Sequence, residues 1–214
     1  MTVVALIPVK DLPQAKARLA PVLDDAGRRE LVLAMLRDVL GAALSCAAID
    51  GVAVVSRDET VLAIAGDAGA EGLAEAGGLN EALESASRRL AERGASRILV
   101  LAADLPLARA ESIASLLEGG DVAIAPSYDG GTNALACAPG TFAFAFGPDS
   151  AARHLSAAAA AGLRAGRIDL PSLALDIDTP QDLERLRGEI ERGADVGAHA
   201  RAALERLGLV TAIR

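Results

Sequence analysis

The sequence predicts an α/β fold with a mostly parallel central sheet and helices on both of its faces. Short aliphatic runs, each about as long as one strand, alternate along the chain with longer segments of helical periodicity. This alternation is typical of parallel sheets with crossover helices. The chain has 214 residues, of which 52% are hydrophobic, so it can bury a continuous core. We therefore expect a single domain over residues 1–214.

The first predicted helix begins near Asp24 or Asp25 and carries two adjacent apolar stripes, so we expect it to be buried over much of its surface. The stripes are Leu31, Met35, Val39 and Ala42, and Val32, Leu36, Leu40 and Leu44. Strands are predicted at Val3–Pro8, Gly51–Ser56, Arg97–Ala103, Asp121–Pro126, Asn133–Ala138 and Leu173–Asp176. Further helices are predicted at Glu81–Arg93, Glu111–Leu117, Ser150–Ala161 and Gln181–Glu191, the last with an N-cap at Thr179 and Pro180 in its first turn. A C-terminal tail over about residues 193–214 is helical in pattern around His199–Leu207.

Charge and composition argue against nucleic acid and membrane partners. The net charge is −8, whereas proteins that bind phosphate backbones usually carry excess Lys and Arg. One Tyr, three Phe and no Trp leave few aromatic side chains on which bases could stack. No apolar run approaches the roughly 18 residues of a membrane span, and the chain begins with a strand-like segment, so we expect a cytoplasmic protein. Cys46 and Cys137 lack metal-ligand spacing and are expected to be small buried residues.

Carboxylates from two distant parts of the chain are candidate ligands for Mg²⁺. Asp104 follows the predicted strand Arg97–Ala103, and ligands of open α/β sheets gather at the carboxyl ends of strands. Asp176 and Asp178 alternate with apolar residues, so on a strand both would face one side, where a cation would offset their repulsion. The alternative is that Asp104 or Asp178 caps the helix that follows it.

Three cations follow the first predicted strand. Lys10, Lys16 and Arg18 lie in the segment that leaves its carboxyl end, a position that suits a polyphosphate. The sequence has no Walker-type GxxxxGK[ST] motif, so a solvated surface loop is an equally open interpretation.

Three glycine-containing segments are candidate binding loops. Gly77–Asn80 precedes a predicted helix, where Asn80 can hydrogen-bond a base or ribose or can cap the helix. Gly130–Asn133 combines flexibility with a hydroxyl group. Phe146–Ser150 leads into another helix, whose free N–H groups favour a phosphate or carboxylate, and His154 lies one turn later on the same face. Each segment can also be an ordinary turn or cap.

Together these segments resemble the 2-phospho-L-lactate or phosphoenolpyruvate guanylyltransferases of coenzyme F420 biosynthesis, the CofC or FbiD family. The resemblance rests on seven stretches that occur in the family's order and span most of the chain. They are IPVK with AKARL (Ile7–Lys10, Ala15–Leu19), RRELVLAML (Arg28–Leu36), GGLNEAL (Gly77–Leu83), LAADLPL (Leu101–Leu107), APSYDGGTNAL (Ala125–Leu135), FGPDSAARH (Phe146–His154) and LDIDTPQDL (Leu175–Leu183).

The resemblance implies a GT-A type, MobA-like nucleotidyltransferase fold and a role for each candidate residue. It implies that GTP is bound by Lys10, Lys16, Arg18, Gly78 and Asn80, the first three at the phosphates and Asn80 at guanosine. It implies that Mg²⁺ is bound by Asp104, Asp176 and Asp178, and the phosphorylated acid by Thr132, Gly147 and Ser150. The implied catalytic residues are Asp104, Lys16 and Arg18. The sequence departs from the family at Ala17, where Thr is frequent, and at Ala151, where Phe is common, which affects the fit of the acid.

The implied reaction transfers GMP from GTP to a phosphorylated three-carbon acid and releases pyrophosphate. Because the second pKa of a phosphate monoester is about 6, the acceptor is mostly ionised at neutral pH and needs no general base. The sequence does not distinguish 2-phospho-L-lactate, phosphoenolpyruvate and 3-phospho-D-glycerate. A downstream transferase of coenzyme F420 biosynthesis would accept the product. The alternatives are a MobA-like nucleotidyltransferase for molybdenum cofactor or a sugar phosphate, or a nucleotide-binding regulatory subunit without turnover. The oligomeric state stays open, a homodimer included.

Overall fold

The computed structural model describes residues 1–10, 12, 15–74 and 77–211, and within them seven strands form one sheet. The strands are β1 (Val3–Pro8), β2 (Gly51–Ser56), β3 (Glu71–Ala74), β4 (Arg97–Leu101), β5 (Val122–Pro126), β6 (Thr132–Cys137) and β7 (Ala165–Arg167). Their order in the sheet is β3-β2-β1-β4-β6-β5-β7. Neighbouring strands are parallel except where β6 pairs with β4 and with β5. The prediction of a mostly parallel sheet is confirmed.

The antiparallel strand β6 brings its first residues to the carboxyl end of the parallel strands. Leu101, the last residue of β4, pairs with Ala134, and Pro126, the last residue of β5, pairs with Thr132. The backbone N–H of Ala102 donates to the carbonyl of Asn133 at 2.8 Å. The start of β6 therefore lies beside the segment that leads from β4 to Asp104.

Helices cover both faces of the sheet, as predicted. The described helices are α1 (Asp25–Ser45), α2 (Glu59–Asp67), α3 (Leu79–Glu92), α4 (Ala110–Leu117), α5 (Ser150–Ala160), α6 (Pro171–Ala174), α7 (Pro180–Glu191) and α8 (Ala198–Arg206), with a short 3-10 helix at Ala17–Leu19. Side chains of α1, α2, α4 and α6 pack on one face of the sheet, and those of α3 and α5 pack on the other. A third apolar cluster joins α1 to α7 and α8.

Helix α1 begins where the sequence predicts, because the side chain of Asp24 caps it by accepting from the N–H of Gly27 at 2.7 Å. Both predicted stripes are buried along most of the helix. At its end the prediction is wrong: Leu44 is 42% exposed and Ala42 is only half-buried. The last turn instead buries Ala43, so the buried face narrows towards the C-terminus.

The predicted strand at Leu173–Asp176 is wrong. Pro171 occupies the first turn of α6, where its fixed φ favours a helix, and α6 ends at Ala174. Residues 175–178 then run without regular secondary structure, although the backbone of Leu175 is extended, with φ −105° and ψ 101°. The other five predicted strands and all predicted helices are present, with small shifts such as the end of β4 at Leu101 instead of Ala103. Elements that the sequence analysis missed are β3, β7, α2 and α6.

The predicted C-terminal tail contributes helix α8, which packs on α1 through Ala200 and Leu204. A carboxylate of α1 holds the start of this helix: Asp38 accepts from the N–H of His199 at 3.0 Å and from that of Ala200 at 2.7 Å. Residues 212–214 of the predicted tail lie outside the described residues.

The structure also describes the two cysteines and the length and polarity of the helices. Cys46 and Cys137 are both free thiols and buried, as predicted. None of the helices described in the structure combines the length and the apolar character needed to cross a membrane.

Candidate active site

A cavity of about 630 Å³ lies at the carboxyl ends of β1, β4 and β5 and at the start of β6. This is the edge at which open α/β sheets place their ligands. The cavity brings together nine of the predicted site residues: Lys10, Lys16, Arg18, Asp104, Thr132, Gly147, Ser150, Asp176 and Asp178. The other two, Gly78 and Asn80, are not in its lining, whereas Leu79 between them is.

Three of these residues form an acidic cluster. Asp104, Asp176 and Asp178 each place one carboxylate oxygen within 4.8 Å of the others, and all three side chains are half-buried. The two chain segments thus converge as the sequence predicts, although Asp176 and Asp178 lie on an irregular segment instead of a strand. The N–H of Ile177 donates to the carbonyl of Asp104 at 3.2 Å, which holds this segment against the end of β4.

Asn133 orients one member of the acidic cluster. Its side-chain amide donates to the carbonyl of Leu173 at 2.9 Å and to the carboxylate of Asp176 at 3.1 Å. Asn133 is buried at the start of β6, so its position is fixed by the sheet. Asn133 is predicted both as the end of a flexible loop and as the first residue of a strand, and neither prediction gives it this role, because the contact depends on the antiparallel placement of β6.

One carboxylate of the cluster, that of Asp176, is harder to ionise than an ordinary aspartate. Desolvation and the nearby charge of Asp104 raise the pKa of Asp176 to about 6, against the opposing hydrogen bond from Asn133. Three carboxylates at this spacing match the hard oxygen ligands that Mg²⁺ prefers, and a divalent ion would relieve their mutual repulsion. The residues present therefore fit the predicted metal site.

Lys16 lies inside the acidic cluster. Its Nζ donates to the carboxylate of Asp104 and to Oδ1 of Asp178, the latter at 2.6 Å, and its side chain is 9% exposed. Burial acts to lower the pKa of Lys16, but the attraction of both carboxylates outweighs burial and raises it. The ammonium is therefore charged and neutralises part of the cluster.

Lys10 and Arg18 complete a positive rim around the cavity. Both side chains are exposed, and both line the cavity. Burial acts to raise the pKa of Asp178, but the charges of Lys16, Arg18 and Lys10 lower it overall. The three predicted cations thus act on the same carboxylate, and two of them, Lys10 and Arg18, remain exposed.

The alternative roles of the aspartates as helix caps are not supported. The N-cap of α4 is Arg109, five residues after Asp104. The N-cap of α7 is Thr179, which forms a reciprocal capping box with Asp182, and Pro180 occupies the first turn as predicted. Asp104 and Asp178 are free of capping roles in these helices and face the cavity instead.

Another part of the cavity lining contains a pair of hydroxyl groups at the start of a helix. The Ser150 hydroxyl donates to Oγ1 of Thr132 at 2.9 Å, and both side chains are at least 90% buried. Ser150 is the first residue of α5, and the N-cap before it is Asp149. Gly147 has φ +135°, a conformation that other residues rarely adopt, so this position requires glycine to turn the chain into the helix. The N–H groups of Ser150 and Ala151 are bonded to the carbonyls of Gly147 and Gly130, so the hydroxyl pair is the neutral donor in this region that can face an anion.

Asn80 is engaged with the protein backbone. Its Nδ2 donates to the carbonyl of Phe146 at 3.3 Å, and its Oδ1 accepts from the N–H of Phe146 at 2.8 Å. The proposed cap is wrong, since Gly78 is the N-cap of α3 and Asn80 lies inside the helix. In this conformation Asn80 holds the segment before Gly147, and its assignment to guanosine stays a prediction.

Residues 3–211 match the family described as guanylyl transferase CofC like. The chain belongs to this family. It is 47% identical over 193 residues to the phosphoenolpyruvate guanylyltransferase of Rubrobacter xylanophilus, covering 87% of this chain and 94% of the relative. It is 38% identical over 212 residues to the 2-phospho-L-lactate guanylyltransferase of Methanothermobacter thermautotrophicus, covering 97% and 92%. The predicted resemblance to this family is confirmed, and the chain is an enzyme of the nucleotidyltransferase class.

The fold of this CofC-like protein also occurs at low sequence identity. A candidate nucleotide-diphospho-sugar transferase from Desulfovibrio desulfuricans superposes with a TM-score of 0.80 at 19% identity, covering 98% of this chain and 97% of the other. This likeness supports the fold alone, and it confirms the predicted nucleotidyltransferase-like α/β architecture.

Proposed function

We propose that this CofC-like enzyme transfers GMP from GTP to the phosphate of a small three-carbon acid and releases pyrophosphate. The observation that carries the proposal is one cavity with two unlike groups of residues in its lining. One group is the acidic cluster with three cations, and the other is the hydroxyl pair of Thr132 and Ser150 at the start of α5. The lining also includes the carboxylates of Asp129 and Asp149. The relatives named phosphoenolpyruvate and 2-phospho-L-lactate guanylyltransferase support both the donor and the class of acceptor.

The acidic cluster and the three cations suit the triphosphate of GTP. Asp104, Asp176 and Asp178 would hold Mg²⁺, which when bound neutralises phosphate charge and supports in-line displacement. Lys10 and Arg18 are exposed at the same rim and can contact phosphate oxygens directly. Lys16 would exchange its carboxylate partners for phosphate oxygens. Each of these groups stabilises negative charge that develops as pyrophosphate leaves.

The hydroxyl pair of Thr132 and Ser150 is assigned to the phosphorylated acid, because it can donate a hydrogen bond without adding charge. No general base is needed because the acceptor phosphate is already mostly ionised at neutral pH. The role of the protein is then to orient the acceptor oxygen towards the α-phosphorus of GTP and to offset repulsion between two anions.

Phosphoenolpyruvate and 2-phospho-L-lactate are the first acceptors to test, and 3-phospho-D-glycerate is the third. These acids differ by a methylene, a methyl or a hydroxymethyl group. A single pocket discriminates only modestly between ligands that differ by so small a group. The activated product would pass to a downstream transferase of coenzyme F420 biosynthesis.

The test is to incubate the purified protein with GTP, Mg²⁺ and each acid separately. Release of pyrophosphate is measured against a reaction without acid, and the product is identified by mass. We expect at least one acid to raise pyrophosphate release well above the blank. Equal release with and without every acid would overturn the proposed function.

The metal assignment is tested by Asp104→Asn, which keeps the size of the side chain and removes one charged ligand. We expect the fold to remain intact and pyrophosphate release to fall by about 100-fold or more. The matched control is Asp121→Asn, a change at a surface ion pair with Arg164 that lies outside the cavity lining. Undiminished turnover in Asp104→Asn would refute the assignment.

A further inference from the structure

His154 lies behind the hydroxyl pair and has no role in the reaction proposed so far. It is fully buried in α5, one turn after Ser150, and it does not line the cavity. Its ring contacts the edge of Phe146, with centroids 4.8 Å apart. Both ring nitrogens have partners: Nε2 accepts from the N–H of Ala145 at 2.9 Å, and Nδ1 lies 3.1 Å from Oγ1 of Thr132.

These two contacts determine the tautomer of the ring. A backbone N–H can only donate, so Nε2 of His154 must carry a lone pair instead of a proton. A neutral imidazole then has its proton on Nδ1. Burial and the charge of Arg153 lower the pKa of His154 to about 4, so the ring is neutral at physiological pH. Nδ1–H therefore donates to Oγ1 of Thr132.

The tautomer decides how many hydroxyl protons remain for a ligand. Thr132 and Ser150 have two hydroxyl protons, and one of them is used in the 2.9 Å bond between the two side chains. With a proton on Nδ1 of His154, the second hydroxyl proton is free and can point into the cavity. With Nδ1 unprotonated, Thr132 would have to donate to the ring, and both hydroxyl protons would be consumed. The pair would then present only lone pairs to an incoming anion, which repel it.

We propose that His154 is a positioning residue that fixes the direction of the Thr132–Ser150 hydroxyl chain so that one hydroxyl proton is donated to an anionic oxygen of the acid substrate. The hydrogen-bond donor role rests on the proposed function, whereas the tautomer does not. His154 touches no substrate itself. It acts through Thr132, and it also holds the backbone at Ala145, two residues before Gly147.

Two conservative variants separate these two contacts. In His154→Asn the amide nitrogen can take the place of Nδ1 and donate to Thr132, but the shorter side chain does not reach Ala145. In His154→Gln the amide oxygen can take the place of Nε2 and accept from Ala145, but no donor is left for Thr132. The first variant keeps the proposed function of the ring, and the second keeps only its structural contact.

Kinetics with GTP, Mg²⁺ and the best acid should rank these variants. We expect His154→Gln to raise KM for the acid by about 5- to 10-fold, because the direction of the hydroxyl chain is no longer fixed, with KM for GTP unchanged. We expect His154→Asn to stay within about 3-fold of the wild type for both substrates. The reverse ranking, or equal effects of the two variants, would show that the ring only supports the backbone and would overturn the proposal.

A measurement on the wild-type protein keeps the proposal testable if both variants fail to fold. The chain has only two histidines, and His199 is exposed on α8, so ring ¹⁵N signals can be assigned with one His199→Gln variant. Long-range ¹H–¹⁵N spectra should show His154 protonated on Nδ1, and adding phosphoenolpyruvate should shift that signal. A proton on Nε2 overturns the inference even if turnover is normal. Absence of turnover with every acid would instead refute the proposed function, while the spectra still decide the tautomer.

Discussion

Replacing Lys16 by Met should have opposite effects on Mg²⁺ binding and on turnover. The Met side chain is similar in length and apolar character to the aliphatic stem of Lys but has no charge. The change therefore removes the ammonium from between Asp104 and Asp178. In the structure this ammonium neutralises part of the acidic cluster and binds oxygens of Asp104 and Asp178. A Mg²⁺ ion held by the same carboxylates would therefore compete with Lys16.

The effect of Lys16→Met on the free energy of unfolding follows from the charges that Lys16 contacts and from their exposure. Two unit charges about 4 Å apart interact by about 4 kcal/mol at an effective dielectric constant of about 20. Breaking a buried ion pair by removing one partner typically costs about 3–5 kcal/mol. The Asp178 side chain is 48% exposed and that of Asp104 is 23% exposed, so solvent reduces both interactions. We expect Lys16→Met to lower the free energy of unfolding by about 2–4 kcal/mol in buffer without divalent ions.

The same change should strengthen Mg²⁺ binding in the absence of nucleotide. If the loss of the Lys16 ammonium makes Mg²⁺ binding more favourable by only about 1.4 kcal/mol, the Kd for Mg²⁺ falls about tenfold. Turnover should nevertheless fall by about 100-fold or more, because Lys16 no longer contributes positive charge to the phosphates in the transition state. Chemical denaturation with and without Mg²⁺, isothermal titration calorimetry and pyrophosphate release measure the three effects.

Lys10→Met is the matched control for this experiment. Lys10 faces the same cavity but is exposed, so its loss should weaken GTP binding and leave the stability of the unliganded protein within about 0.5 kcal/mol. Equal or weaker Mg²⁺ binding in a well-folded Lys16→Met variant would refute the idea that the ammonium competes with the metal.

Two further predictions concern stability. Asp38→Ala removes the acceptor of two N–H groups at the start of α8, so we expect a loss of about 1–2 kcal/mol and a Tm lower by about 2–8 °C in thermal unfolding. Asp67→Ala, at an exposed position in α2, should change Tm little, and a similar loss in both variants would contradict this role of Asp38. His154 should make the protein less stable in acid, because its folded-state pKa of about 4 lies below the ordinary 6.5, so the unfolded chain takes up the proton first. The neutral ring contributes about 3 kcal/mol to the free energy of unfolding above pH 6.5, and this contribution is lost as the pH falls towards 4. Chemical denaturation at several pH values should show a steeper loss of stability in the wild type than in His154→Gln. Parallel curves for the two proteins would refute this role of His154.

The sequence predicts the elements whose signals are local. Strands β1 and β2 are continuous aliphatic runs, and their bounds agree with the prediction. Helix α1 has a capping aspartate and a wide apolar face, so its start is predicted as well. The edge strand β3 buries only Leu73 among its four residues, and β7 has the sequence Ala-Gly-Arg. Such strands depend on pairing with a neighbour, and their own composition carries little information.

The acidic cluster was predicted correctly from a wrong local structure. Leu175 to Asp178 alternates apolar and acidic residues, which predicts a strand, yet the segment does not join the sheet. Extended backbone alone is enough to send alternate side chains to the same side. The bond from Ile177 to the carbonyl of Asp104 then replaces the missing strand pairing as the contact that brings the carboxylates together. The convergence of these carboxylates depends on the alternation of side chains and not on membership in the sheet.

Partner choice within the site could not be predicted. The sequence identifies Lys16 as a cation and Asn80 as an amide, and both types can bind a nucleotide. In the structure Lys16 binds the acidic cluster and Asn80 binds the backbone of Phe146. These contacts join residues that are 162 and 66 positions apart, so they depend on the complete fold. A residue type limits the chemistry that is available, whereas the tertiary structure selects the partner.

Under the proposed function, the two groups of residues in the cavity meet different demands. At the acidic cluster a triphosphate would enter and pyrophosphate would leave, so charges would change partners in every cycle. Without a ligand, the ion pairs of Lys16 neutralise part of the cluster. At the hydroxyl pair the acceptor oxygen would have to be aimed before any bond forms, and the buried chain from His154 through Thr132 to Ser150 would direct one hydroxyl proton towards it. Further cations there would compete for the triphosphate, whereas a neutral donor would let the protein bind two anions side by side and still distinguish between them.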